Sequence, residues 1–387
     1  MARLTKEFAI RLSEPVEDAY LECIDRLIIN ICKHLGTGEA YRTADWELQK
    51  LSELGQLTEE NAKIINEAVK SVPQEVRDAL EEASAESLKD IEAMLKDAVE
   101  KGAVEKPMSN SVQQELDRLQ QQALDKINVT NTTMLESSRN AYQNAVQNTV
   151  FHMNAGLDIS NQIGAVIAVS TETRNTALKK AISQLLNNGI YGLVDRAGRR
   201  WSPEAYVSTL IRTTSHNASI DSIRARQNDY GSQIFQISSH AGARPLCYPY
   251  QGKFYTWGDE GGTFTDGNGV EHTYLPITST SYGQAAGIFG INCGHYPLPQ
   301  IPGVTIPSDE EIQPKEANTK EYRESQQQRY LERRIRESKR SEAAYREAGL
   351  FDAADEMKKV VADRQADMRA FIKKTGRKRR YDRENVR

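Results

Sequence analysis

The sequence predicts a mainly α protein in which a small, loop-rich α+β domain is flanked by long N- and C-terminal helices. Three observations point there. Apolar residues recur at helical spacing through most of the first 155 positions. Glycine, proline and aromatic residues concentrate between His240 and Gly303. Beyond Ile306 the chain returns to helix texture, now dominated by Glu/Arg pairs at helical spacing. A chain of 387 residues exceeds one ordinary domain. The expected divisions are a helical region 1–155, an α+β core domain 171–306, and a charged helical region 307–387 ending in a basic tail.

Taken in order, Ser13 is the expected cap of a first helix, with Pro15 in its first turn, where a missing N–H is harmless. Val16, Tyr20, Ile24, Leu27, Ile28, Ile31 and Leu35 then mark one face, and Gly36 ends the run. Cys23 and Cys32 lie in this helix and read as core. Amphipathic stretches follow from about Asp45 to Val72 and from Pro73 to Lys101, and Pro107 interrupts. A long segment from Ser109 to about Ala155 carries a narrow apolar stripe, beginning Val112, Leu116, Leu119, Ala123 and Ile127. Its other face is rich in Gln, Asn and Ser, a pattern that suits packing on a neighbouring helix or on a copy of itself.

Asn175–Asn187 continues as helix. Gly189 to Trp201 reads as a short hairpin turning at Asp195 to Gly198. Ser202-Pro203-Glu204 starts a helix with Tyr206, Leu210 and Ile211 inward, expected to end near Arg212-Thr213-Thr214 before a further helix to about Gln227. After Gly231, Ile234, Gln236, Ser238 and His240 alternate with Phe235, Ile237 and Ser239, which is strand period.

Composition narrows the function classes. Net charge is −4, so any nucleic-acid contact must be local. The longest apolar runs, such as Ala165–Val169, fall far short of a membrane span of about 20 residues. The start MARLTKEFAIRLSEPVEDAY lacks a secretory h-region, so a protein kept in the cytoplasm is expected. Four cysteines there make no disulfide framework. Neither a phosphate-binding P-loop nor a dinucleotide fingerprint is present.

Chemistry concentrates in four residues. His240, Cys247, Cys293 and His295 fall in the loop-rich segment, and a strand through Cys293-Gly294-His295 would put thiol and imidazole on one face. Two thiolates and two imidazoles complete a tetrahedral structural zinc shell. Without a C-x-x-C pair, two other readings stay open. The cysteines can be buried core beside ordinary hydrogen-bonding histidines. Alternatively, a cysteine and a histidine can form a nucleophilic pair oriented by Gln251 or Asn292. Arg244, held between Ala243 and Pro245, reads as a clamp on a carboxylate or on backbone carbonyls. The run Lys373, Lys374, Arg377, Lys378, Arg379 and Arg380 is the candidate contact to nucleic acid, against the bland reading of a solvated tail.

Several of these strings occur in a familiar order. Gly189 to Thr214 with its Asp195-Arg196-Ala197-Gly198-Arg199-Arg200-Trp201-Ser202 centre, Ser239 to Pro245, Tyr250 to Lys253, Tyr282-Gly283 and Gly290 to His295 together resemble the phage minor capsid protein 2 family. The end from Phe371 to Glu384 fits as well. The layout is also similar to that of head-morphogenesis proteins related to phage Mu protein F, which carry Cys and His near the end of a similar domain. The resemblance implies a minor structural protein of a tailed-phage head, present in few copies but more than one per virion. It implies association with portal and inner capsid, and a role as an adaptor in head assembly or DNA packaging rather than as an enzyme. The implied partners are the portal protein, the major capsid protein and packaged double-stranded DNA, with no membrane and with assembly in the host bacterial cytoplasm. The alternative from another class is an enzyme delivered with the genome and using the Cys/His cluster. Two positions depart from the family pattern: Cys247 stands where a histidine is expected, and Gly294 where an arginine is expected.

Overall fold

The computed structural model describes residues 6–37, 42–105, 111–161 and 171–386. Pro107 and the run Ala165–Val169 lie outside the described residues. The helices are α1 (Lys6–Gly36), α2 (Thr43–Ser52), α3 (Leu54–Ala68), α4 (Val72–Glu100), α5 (Val112–Asn161), α6 (Thr171–Asn188), α7 (Pro203–Asp229), α8 (Lys315–Glu347) and α9 (Phe351–Thr375). Strands β1 (Leu193–Val194) and β2 (Arg200–Trp201) form a small hairpin. Strands β3 (Ile234–Ile237), β4 (Phe254–Thr256), β5 (Gly262–Thr265), β6 (Glu271–Pro276) and β7 (Pro297–Pro299) form one sheet. The protein is therefore mainly α with a small sheet and long terminal helices. Among the described residues no helix is long and apolar enough to cross a membrane.

The chain divides into two compact units. The first comprises Met1–Val16, Val72–Lys126 and Val207–Gln326, and holds the five-stranded sheet. The sheet order is β5-β6-β4-β3-β7, antiparallel except for the β4/β6 pair. Prolines flank β7, an edge strand that can spare their missing N–H groups. Phe235 and Ile237 of β3 are fully buried and Gln236 nearly so, which leaves this strand covered on both faces. The expected alternation does not run on to His240. The strand ends at Ile237, Ser238 donates its N–H to the Tyr296 carbonyl at 3.0 Å, and the chain turns away.

Helices α4 and α7 pack through small polar residues. Ser84 and Ser222 share a hydrogen bond of 2.8 Å, Ser219 Oγ donates to the Ala83 carbonyl at 3.0 Å, and Arg226 forks onto Glu92 at 2.5 and 3.1 Å. Ile91, Leu95 and Ala98 meet Ile223, Tyr230 and Ile301 beside them. This corrects the expected break at Arg212-Thr213-Thr214. Thr214 Oγ1 donates to the Leu210 carbonyl within the helix at 2.9 Å, and no glycine or proline interrupts, so α7 is continuous.

The second unit comprises Glu17–Ser71, Ile127–Tyr206 and Gln327–Arg387. The apolar face of α1 from Tyr20 to Leu35 is buried as its spacing predicts, and Cys23 and Cys32 are core, their thiols pushed up to about 12 by burial. The start of α1, which belongs to the first unit, departs from expectation. Ser13 is not a cap: its hydroxyl donates to the Ile10 carbonyl at 2.9 Å, and Pro15 sits inside the helix. The buried face of α5 is wider than its apolar stripe, because Thr130, Ser137, Ser138 and Thr149 are buried beside Met134, Tyr142 and Val146. Ser138 accepts from Asn61 Nδ2 at 3.2 Å, and Tyr142 donates to the Lys50 carbonyl at 3.0 Å. Lys50, fully buried, spends its ammonium on Glu53 at 3.1 Å, Thr37 Oγ1 at 3.0 Å and the His34 carbonyl. Gly36 is needed where it lies: a Cβ there would come within 2.9 Å of the Ala348 carbonyl oxygen.

The β1–β2 hairpin turns where the sequence places it. Asp195 Oδ1 accepts the N–H groups of Ala197 and Arg199 at 3.0 and 2.9 Å, and Oδ2 accepts from the Arg199 and Trp201 side chains. The Arg199 backbone bond leads in holding this carboxyl at about 2, below its usual 3.8. A depressed acid stabilises the fold above its unfolded pKa and loses that contribution as pH falls through the folded one. Asp195→Asn is therefore expected to lower the unfolding midpoint at neutral pH. The gap to wild type should close between about pH 4 and pH 2, as followed by circular dichroism.

Candidate metal centre

Two limbs of the first unit build the site. The first leaves β3 and turns at Gly242, whose φ of 68° is left-handed. It then reaches Cys247, whose N–H bonds the Arg244 carbonyl at 2.9 Å as a short 3₁₀ turn, Tyr248–Tyr250, begins. The second limb approaches β7 through residues 281–296. Ser281 Oγ donates to the Leu246 carbonyl at 2.8 Å and accepts the Ile288 N–H at 2.9 Å. Gly287 lies so close to the Ser281 carbonyl that no Cβ fits. Phe289 and Asn292 take left-handed φ angles of 58° and 56°, a strained shape that curls the backbone round the Cys293 sulfur. The Phe289 N–H then points at that sulfur, 3.2 Å away.

Arg244 ties the limbs together, as a clamp on carbonyls. Its Nη1 donates to the Ile291 carbonyl at 2.7 Å and its Nη2 to that of Gly287 at 3.1 Å. Aromatic rings pack underneath, with Phe235 stacked on Trp257 at 4.3 Å and 6.2 Å from Phe289.

Cys247, Cys293 and His295 meet inside this frame, their ligand atoms all within 4.8 Å of one another. Sγ to Sγ is 3.9 Å, and Cys293 Sγ to His295 Nδ1 is 3.3 Å. Tetrahedral zinc with bonds of about 2.0–2.3 Å needs S···S of about 3.8 Å and S···N of about 3.6 Å, and the two separations made by the Cys293 sulfur are close to these. His240 lies next to the set, not in it. Its ring is 4.3 Å from that of His295, and its Nδ1 faces the Ala241 carbonyl at 3.0 Å. The expected strand through Cys293 and His295 is absent: β7 begins at Pro297, because Asn292's left-handed backbone belongs to a turn. A Cβ on Gly294 would sit 2.9 Å from His240 Nε2, so an arginine here would crowd that ring.

The hydrogen bonds fix the tautomers. Gln251 Oε1 accepts the His240 backbone N–H at 2.9 Å, so it also accepts from His295 Nε2 at 3.2 Å. His295 Nδ1 then carries a lone pair directed at Cys293. This is the state a metal ligand needs, with the other ring nitrogen oriented by an acceptor. Burial opposes a thiolate at Cys293, but the hydrogen bond from Cys247 leads the influences that outweigh it and hold this thiol well below its usual range. Cys247, bonded to that sulfur and itself buried, is pushed up. A divalent cation would displace the proton that remains.

Sequence reasoning missed His216. It projects from α7, donates Nε2–H to the His295 carbonyl at 2.9 Å, and burial holds its pKa down, keeping it neutral. Its Nδ1 finds no hydrogen-bond partner among the described residues. The available signal was Ser208, Ser215, Ser219 and Ser222, whose helical spacing, with Ala218, marks a buried polar face. Gln251, considered only as an orienting group, holds both His240 and His295. As a nucleophile the cluster lacks access, with Cys247 0%, Cys293 7% and His295 1% exposed.

The basic residues lie in the second unit. Lys373, Lys374 and Lys378 are exposed. Arg377 Nε donates to Gln328 at 2.8 Å, Arg379 forks onto Glu384 at 2.7 and 2.6 Å, and Arg380 reaches Asp382 at 3.4 Å.

Comparison with known proteins gives a consistent result. The family described as Phage minor capsid protein 2 matches residues 9–373. A structural protein of Lactococcus phage LL-H is 28% identical over 90% of this chain and 90% of its own length. A structural protein of Lactococcus phage mv4 is 31% identical over 29% of this chain and 92% of its own length. No solved structure matches significantly.

Removing the Arg244 guanidinium leaves two carbonyls without their donors. Arg244→Ala is expected to destabilise the first unit by about 1–3 kcal/mol. Arg244→Lys should rescue little, because one ammonium cannot reproduce the two-pronged geometry. Denaturant unfolding monitored by tryptophan fluorescence, with Trp257 as reporter, checks both; full rescue by lysine would reject the clamp.

Proposed function

The chain belongs to the phage minor capsid protein 2 family, and from that premise we propose that it is an adaptor in the phage head, joining portal and inner capsid during head assembly or DNA packaging. It is a phage structural protein. As an adaptor its partners are the portal protein, the major capsid protein and packaged double-stranded DNA, and it assembles in the host bacterial cytoplasm before residing in the virion.

The observation that carries a non-enzymatic reading is the burial of every chemically capable group in the cluster. Cys247, Cys293 and His295 are closed off from solvent, which suits holding two limbs together and not attacking a substrate. We further propose that zinc is held by Cys247, Cys293 and His295, with His240, its ring 4.3 Å from that of His295, as the fourth ligand. Zinc there would act as a staple for a loop-rich region with little regular hydrogen bonding. An enzyme delivered with the genome remains the second reading, favoured by the alignment of Cys293, His295 and Gln251.

Two measurements separate the readings. Chelator treatment is expected to lower the unfolding midpoint of the intact protein, and zinc, not magnesium, to restore it. Particles made with Cys247→Ser plus Cys293→Ser are expected to lack this protein or to misassemble, as seen by mass spectrometry of purified virions with copies counted against the portal. Normal particles that fail only after genome delivery would support the enzyme instead.

A further inference from the structure

The basic end of the chain is not a free tail. After α9 it folds back along α8 within the second unit, held mostly by bonds that leave its charges outside. Gln328 Nε2 donates to the Lys378 carbonyl at 2.9 Å, Arg336 Nη1 to the Arg383 carbonyl at 3.1 Å, and Lys339 Nζ to Asn385 at 2.9 Å. One buried ion pair, Arg379 on Glu384, closes a 3₁₀ turn at Tyr381–Glu384.

Docking brings together charges distant in sequence. Residues 373–386 carry seven basic and two acidic side chains, and residues 329–339 carry five basic and two acidic, in a chain whose net charge is −4. Helix geometry puts Gln328, Glu332 and Lys339 on the line facing the docked segment, with Arg336, Arg329 and Arg333 following round one side. Glu332, the acid within this group, is buried, and burial raises its pKa despite Arg383, Arg380 and Arg329 nearby. Like charges gathered this closely repel one another unless an anion lies over them.

We propose that α8 and the docked C-terminal segment build one preorganised basic surface, with Arg336 on the Arg383 carbonyl and Arg333 exposed on the same helix, that takes the phosphodiester backbone of double-stranded DNA. It rests on the adaptor reading in which packaged DNA is a partner, and adds that the site is a folded surface including α8. Phosphate contacts of this kind position the protein without reading sequence.

The test measures binding of the full chain to a mixed-sequence duplex across a salt series. Arg333→Gln, at an exposed position far from the tail in sequence, is expected to reduce the slope of log affinity against log salt by about 0.9, one phosphate contact. Glu384→Gln removes an acid yet is expected to weaken binding, because Arg379 loses the anchor that orders the segment. Tighter binding by Glu384→Gln would mean that charge alone matters and would overturn the proposal. If deleting 373–387 abolishes binding while Arg333→Gln changes nothing, the tail acts alone: the DNA reading stands and the built surface falls. If wild type ignores the duplex but binds purified portal protein, both the surface's assignment and its DNA partner are wrong.

Discussion

The Cys293 sulfur is the point on which the loop-rich part of the molecule closes. It meets Cys247 from one limb, His295 from its own, and the Phe289 N–H from a turn strained into left-handed geometry. Residues 277–296 contain a single 3₁₀ turn and no strand, so side chains must do what a sheet ladder would otherwise do. Arg244 supplies donors to two carbonyls there, Ser281 bridges to Leu246, and the aromatic cluster about Phe235 supplies apolar burial. Left-handed Phe289 and Asn292 persist only because these surroundings over-determine them.

The same economy governs the helices. Ser84 on Ser222, Asn61 on Ser138, and Gly36 against Ala348 let backbones come close while these four side chains keep their hydrogen-bond partners. Such contacts contribute less per residue than leucine packing but are directional. They favour one register between helices.

This explains what the sequence made legible. Helix α1 was readable because its buried face is apolar at regular spacing, and the hairpin because Asp195 and Gly198 are turn residues with a specific job. The continuity of α7 was hidden, since its buried face is serine and threonine, residues that local propensity assigns equally to turns. His216 was missed for the same reason. The Cys/His set was visible as composition, and three of its members do converge, yet the strand invoked to align Cys293 with His295 does not exist. A turn achieves the alignment, and nothing in Asn292's identity announces a left-handed φ strongly enough to predict it. The basic run was read as a tail because its anchors, Gln328 and Arg336, lie some 50 residues earlier.

The family places the protein among phage structural components, and the closed Cys/His cluster suits that: two limbs of the first unit meet there, buried from solvent. The central claim is that the fastening is a metal–thiolate bond. X-ray absorption at the zinc edge, on protein purified without added metal, tests it most directly. The account predicts sulfur scatterers near about 2.3 Å together with imidazole nitrogen. A shell of oxygen and nitrogen alone, or fully folded protein with no bound metal, would contradict it.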